Sequence, residues 1–271
     1  MRKIKAGLPI AIGLIVVNIL FWIVIGRLFI PTEWRKDYIS SNLVTAAQNI
    51  VGVTVFSLLT VKIFKIKTGF GRKNLFKGVF WYGLVMWIAI AANLIMSYRT
   101  PQKSFAEALP GILVTLFTNM TIGAMEEVVY RGMIFGLFRE SFGESKKGIY
   151  LSVFASAMVF GGIHVVNLIF SPELIITTIA QVIYAIFYGI ILAVIYFRSE
   201  NILPGIILHG LFDFAAYIWI CFASNTNEAF RAERTTDMNV ISALVTIAMV
   251  STFVISGLWQ LRTVFCKKNV I

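Results

Sequence analysis

Apolar residues arrive along this chain in runs of about twenty, separated by short polar stretches. A run of that length is what an α-helix needs to cross roughly 30 Å of hydrocarbon. The runs predict eight spans, near 8–30, 41–64, 77–98, 109–138, 149–170, 174–197, 202–223 and 239–264. The second is the most polar, with Asn42, Gln48 and Asn49 in its first turns, and would also suit a helix lying partly in the interface. The expectation is an all-α fold, a polytopic transmembrane helical bundle of about eight spans.

Composition supports a membrane protein. At 58% hydrophobic and only 14% charged residues over 271 positions, the apolar surface exceeds what one soluble core can hide. The first run, Leu8 to Ile25, is too long for the apolar region of a signal peptide and is followed by no small-residue cleavage site, so it reads as a span. Cys221 and Cys266 stand apart from each other and from histidine, which indicates neither a disulfide framework nor a thiolate metal site. Pro31, Pro101, Pro110, Pro172 and Pro204 fall at or near predicted span ends, and no linker or repeat divides the chain. A single integral membrane domain is expected, with 1–108 as accessory spans, 109–223 as a core and 224–271 as a last span.

Charge in the connections gives an orientation. With a cytoplasmic N-terminus, sixteen of the 24 Lys and Arg residues fall on the inner side, seven on the outer side, and Arg131 within the membrane. That bias follows the positive-inside rule and predicts an even number of spans with both termini cytoplasmic. The net charge of +11 then reflects topology and anionic lipid headgroups, without a nucleic-acid partner.

Against this apolar background, ionisable residues inside spans stand out, because each costs roughly 2.5–3.5 kcal/mol at the bilayer centre unless paired or wetted. They cluster in 109–138, 149–170 and 202–223, and include both histidines of the chain. On a helix, residues four apart share a face, so Glu127 can pair with Arg131, Phe160 stacks with His164, and His209 with Asp213. Glu126 lies about 100° round from Glu127, on a face shared with Tyr130 and Asn119, which leaves it free of the ion pair. At 1.5 Å per residue from the cytoplasmic ends, Glu126 lies roughly 20 Å deep, His164 roughly 24 Å, His209 roughly 10 Å and Asp213 roughly 17 Å, a scatter that helix tilt can absorb.

Three ionised carboxylates against one arginine leave a charge of −2, which a low-dielectric interior requires to be compensated. Protons on the carboxylates, protonated His164 or His209, or a divalent metal such as zinc held by Glu126, His164 and His209 would each do so. All three also prepare a site for hydrolysis, by general base catalysis or through a metal-bound water. The residues leave open whether any cofactor is used.

These motifs carry a family resemblance. The sequences EEVVYR at 126–131, FGGIH at 160–164 and HGLFD at 209–213 follow the Glu-Glu-x-x-x-Arg, Phe-x-x-x-His and His-x-x-x-Asn/Asp order of the CPBP intramembrane proteases. That family is named for CAAX prenyl endopeptidases of type II and bacteriocin-processing proteins and is also called Abi. The chain resembles it from about Leu109 to Phe222. The resemblance implies hydrolysis of a peptide bond in a membrane-associated peptide or protein, with Glu126 and His164 activating the attacking water. His209 and its partner at 213 would stabilise the oxyanion, and Glu127, Arg131 and Phe160 would support the site. Position 213 is Asp where well-studied members have Asn, and an ionised carboxylate cannot donate to an oxyanion. Asp213 is therefore protonated, or orients His209, or serves another use of the site.

Two other classes share parts of this pattern. An ion-coupled transporter also places Glu, His and Asp at the midplane, but with internal repeats and helices broken near the site, which this chain lacks. A bacteriocin self-immunity or partner-binding protein retaining the protease-like site would tolerate loss of Glu126 and His164, whereas proteolysis would not. Small size and an Ile-, Lys- and Phe-rich composition point to a bacterial plasma membrane.

Overall fold

The computed structural model describes residues 9–10, 13–14, 16–18, 20–21 and 32–268, and these are helical apart from their connections. The predicted 8–30 span therefore falls largely outside the described residues, as do Arg2, Lys3, Lys5 and Arg27. Ten α-helices follow among the described residues. α1 is Tyr38–Leu58, α2 Leu84–Met96, α3 Phe105–Glu127, α4 Gly136–Phe142 and α5 Lys146–Gly162. α6 is Asn167–Phe170, α7 Ile175–Ser199, α8 Leu203–Tyr217, α9 Thr226–Thr235 and α10 Val240–Lys268.

Among the described residues, six helical stretches are long and apolar enough to cross a membrane: Tyr38–Ile63, Phe105–Phe142, Lys146–Phe170, Ile175–Ser199, Leu203–Phe222 and Val240–Cys266. They match six of the predicted runs, so the chain is a polytopic helical membrane protein. The predicted 77–98 run is helical but interrupted. A π-helical turn, Lys77–Tyr82, ends at Gly83, and the apolar helix beyond it has only 13 residues. Gly83 lies so close to Leu208 that an added Cβ would overlap its side chain, so the break lets α2 settle against α8.

Two further details differ from the sequence reading. The polar start of α1 is no interfacial feature: Gln48 and Asn49 are buried, and Asn49 donates to Thr121 Oγ1 on α3 at 3.4 Å. Pro110 lies within α3, because the helix starts five residues earlier at a capping box in which Ser104 and Glu107 satisfy each other's backbone N–H groups.

α7 occupies the centre. In its most apolar stretch 61% of residues are buried, against 22–44% for the other five spans, and it packs on α5 and α10. α3 packs on α1 and α8. Outward-facing Ile88, Leu113, Ile169, Ile241, Ile255 and Trp259 are exposed, as a lipid-facing surface requires.

The connections separate into two ends. At one, Gly69 O accepts from Ile202 N, Asn201 donates to Gly71 O and Lys73 O, and Asn74 donates to Ser199 O. At the other, Lys103 reaches Thr226, Tyr38 N donates to Asn227, and Arg99 pairs with Glu233 on the amphipathic α9. The first end gathers the segments assigned above to the inner side, the second those assigned to the outer side.

α7 begins without a capping side chain of its own. Its exposed N–H groups are met from far along the chain by Asp237, which accepts from Ile176 N, Thr177 N and Thr177 Oγ1. These hydrogen bonds, that of the Thr177 hydroxyl foremost, hold the Asp237 carboxyl below the usual carboxylate range. A carboxyl depressed on folding stabilises the fold above its unfolded value, and the contribution is lost as pH falls through the folded value. The difference in melting temperature between wild type and Asp237→Ala should therefore be full at neutral pH and shrink below about pH 4. A gap independent of pH would show that the ionised cap does not hold α7.

Candidate functional site

Glu126 and Glu127 close α3, and the backbone widens immediately after them into an eight-residue π-helical stretch, Val128–Phe135. Such stretches are rare and concentrate where a helix carries chemistry. Within this one, Arg131 Nη1 lies 2.8 Å from Glu127 Oε1, with both side chains essentially inaccessible. The guanidinium lies over the Phe160 ring, 4.3 Å from its centroid. A cation on an aromatic face in a dry interior is worth about 2 kcal/mol, which offsets guanidinium N–H groups that lack full hydrogen bonding.

His209 on α8 completes the cluster. Its Nδ1 is 3.0 Å from the same Glu127 Oε1, and its Nε2 faces Glu126 Oε2 at 3.4 Å and Asp213 Oδ2 at 3.5 Å. Because a carboxylate only accepts, Nδ1 is the donor to Glu127. The edge of the imidazole is packed by Tyr188, 4.9 Å between ring centroids, and by Phe160 at 6.0 Å.

Glycines bring the two helices this close. A Cβ on Gly123 would come within 2.9 Å of Gly210 N and 3.0 Å of Ile206 O. On Gly210 it would meet Met120, and on Gly205 it would lie 2.7 Å from Glu127 Oε2. Small residues on both faces thus let the α3 and α8 backbones approach, and Gly205 leaves the space that the Glu127 carboxylate fills.

His164 is reached differently. It sits in a 3₁₀ turn, Ile163–Val166, that follows α5, with Nδ1 3.0 Å from Phe160 O. A carbonyl oxygen only accepts, so Nδ1 carries the hydrogen and Nε2 is left with the lone pair in the neutral ring. His164 and Glu126 line one cavity of about 330 Å³, together with Asn18, Met125, Val129, Tyr130 and Asn167. Of the two adjacent glutamates, Glu127 is sealed while the Glu126 side chain keeps 30% of its surface open to this space.

The seven candidate residues are thus brought together in two tiers. Glu126, Glu127, Arg131, His209 and Asp213 are linked by direct contacts centred on His209 and Glu127, Phe160 packs against Arg131 and His209, and His164 joins through Phe160 and the cavity. The depths counted from the sequence placed His209 about 10 Å from Glu126 along the membrane normal, and the structure removes that offset. The α3–α4 rod runs past its neighbours, so that a Cβ on Gly132 would touch Thr68 and Ile202, where α8 begins. Counted from Gly132, Glu126 is roughly 9 Å deep, level with His209.

No trio of His, Cys, Asp or Glu side chains among the described residues has the arrangement to hold a metal ion, and both nitrogens of His209 already face carboxylates.

Residues 108–215, which carry all three motifs, match the family model of the type II CAAX prenyl endopeptidase Rce1-like proteins. This core is therefore similar to the Rce1-like proteins. No curated protein and no solved structure matches the chain. The Rce1-like core begins with α3 and ends within α8, the two helices that the glycines clamp together, and it leaves out Asn18, α1, α2 and α10. Asn18 and Tyr188 are contacts of the site that the motifs did not include, and Tyr130, an unspecified position of the first motif, is a third. A polar Asn18 inside an otherwise apolar run was the one available signal for the first of them.

Removing one partner of a buried ion pair leaves the other charge without compensation and costs about 3–5 kcal/mol. Arg131→Ala should accordingly lower the thermal stability of the purified protein and its accumulation in membranes. Normal levels and an unchanged melting temperature would show that Glu127 does not depend on Arg131.

Proposed function

We propose that the chain is an intramembrane endopeptidase that hydrolyses a peptide bond of a membrane-associated peptide or protein, using water activated by Glu126 and His164. One observation carries the reading: a solvent-reachable glutamate and an imidazole share a cavity directly above a sealed Glu127–Arg131–His209 support. An ion pair needed only for packing would require neither the second acid nor the cavity.

In this scheme Glu126 takes a proton from water as its oxygen bonds to the scissile carbonyl carbon, and His164 Nε2 accepts the second O–H to aim the attack. Negative charge then collects on the former carbonyl oxygen. A His209 imidazolium, fixed by Glu127 at Nδ1, presents its Nε2–H to that oxygen. The C–N bond breaks as Glu126 returns its proton to the leaving amine. Every step uses side chains of this chain.

The excess of basic residues at one end supports placing that end, and both termini, on the cytoplasmic side, and small size with an Ile-, Lys- and Phe-rich composition supports a bacterial plasma membrane. The Rce1-like core supports a substrate of the CAAX type, a prenylated peptide, as the first to try.

The test is cleavage of a set of internally quenched peptides, farnesylated CAAX sequences among them, by the full chain purified in detergent. Glu126→Gln and His164→Ala should each reduce kcat/KM by at least about a hundredfold. Activity should persist in a zinc chelator; loss on chelation would place a metal among Glu126, His164 and His209. If nothing is cleaved and both variants keep the wild-type phenotype in cells, the site binds a partner rather than hydrolysing a substrate.

Asp213 in this reading is the carboxylate that keeps His209 charged. Asp213→Asn is expected to lower kcat about a hundredfold with KM little changed. Full activity in the variant would instead make position 213 a neutral hydrogen-bond donor to the oxyanion.

A further inference from the structure

The first span brings a residue into the cavity that lies outside the Rce1-like core. Its described residues form a two-sided helix. Val16, Val17 and Leu20 are about half exposed, as on a lipid face, while Leu14 and Asn18 are only 7% and 6% exposed. Phe21 continues the inner face with an edge-on contact to Phe56 of α1, 6.0 Å between centroids. Positions 14, 18 and 21 lie on one side of a helix, so Asn18 is held inward by the packing of its neighbours.

Inside, Asn18 is only half satisfied. Its Nδ2 donates to the Tyr130 hydroxyl at 3.4 Å, whereas its Oδ1 is buried with no hydrogen-bond partner among the described residues. An amide oxygen left unpaired in a low-dielectric site is costly, and apolar residues would fill the position without that cost. The side chain lines the same cavity as Glu126 and His164. A peptide backbone entering that cavity brings N–H groups that have also lost water, and each needs an acceptor.

We infer that Asn18 is a substrate-binding residue, whose Oδ1 accepts a backbone N–H of the peptide while Tyr130 fixes the amide. The inference rests on the endopeptidase reading and extends it: the substrate is bound as an unpaired, extended segment, because a helical segment would have its N–H groups already occupied. Recognition through the backbone holds a peptide in register without selecting its side chains.

The experiment uses the full chain and the best-cleaved member of the quenched peptide set. Asn18→Leu keeps the volume and removes the unpaired oxygen. KM should rise roughly three- to tenfold with kcat unchanged, as for loss of one neutral hydrogen bond that is equally strong in ground and transition states. The melting temperature should rise or hold, since an unsatisfied polar atom has been replaced by an apolar one. A peptide N-methylated in turn at each backbone nitrogen should show one position whose methylation raises KM for wild type but not for Asn18→Leu. Tyr130→Phe, which frees the amide without altering the ring packing, should raise KM by a smaller factor. If Glu126→Gln abolishes cleavage but Asn18→Leu leaves KM unchanged, or lowers the melting temperature with no effect of N-methylation specific to wild type, Asn18 is structural and the inference fails while the endopeptidase reading stands. If wild type and Glu126→Gln behave alike on every peptide, the reading itself fails, and this inference with it.

Discussion

The structure depends on one oxygen. Glu127 Oε1 receives both Arg131 from the next turn of its own helix and His209 from α8, in a region with almost no access to water. A lone carboxylate there would be too costly to keep charged, and the two contacts are worth far more together than at a surface. One is local and the other ties together positions 82 residues apart. Holding that oxygen fixes the rotation of α3, the position of α8 and the orientation of the imidazole between them.

From this anchor the rest of the site follows by exclusion. With Glu127 committed inward, the adjacent Glu126 is carried about 100° round the helix and reaches the cavity. The imidazole, held at Nδ1, has no freedom except to aim Nε2 at Glu126 and Asp213. Phe160 supports two cations' worth of geometry at once: its face lies under Arg131 and its edge is close to both histidine rings. The central α7 adds Tyr188 against His209, and Tyr188 in turn packs on Phe212 of α8 and Phe253 of α10.

Much of this was legible in the sequence, for a physical reason. Charged residues are so costly in hydrocarbon that each one inside an apolar run carries information, and the i, i+4 rule converts spacing into contact; Glu127–Arg131 and His209–Asp213 both emerge that way. What was not legible depends on relations between helices. The common depth of Glu126 and His209 required knowing that the α3–α4 rod overshoots the start of α8, which no single run reveals. Gly123, Gly205 and Gly210 look like ordinary small residues until the opposing backbone is in place. The break at Gly83 was hidden because apolar residues continue across it. Asn18 carried a signal, a lone amide in an apolar run, whose meaning depends on which way the helix faces.

The π-helical stretch after Glu127 has a consequence for how the chain tolerates change. Its wider i→i+5 hydrogen bonding leaves α3 and α4 out of phase, as though extra residues had been inserted into one continuous helix. The two halves can therefore present unrelated faces, α3 its acidic edge to α8 and α4 its apolar edge to α5. Shortening that stretch by a single residue would put the rod back in phase and swing one half by a large part of a turn relative to the other. Length, rather than residue identity, is the quantity that Val128–Phe135 most needs to conserve, and a one-residue deletion there is a more severe lesion than most substitutions within it.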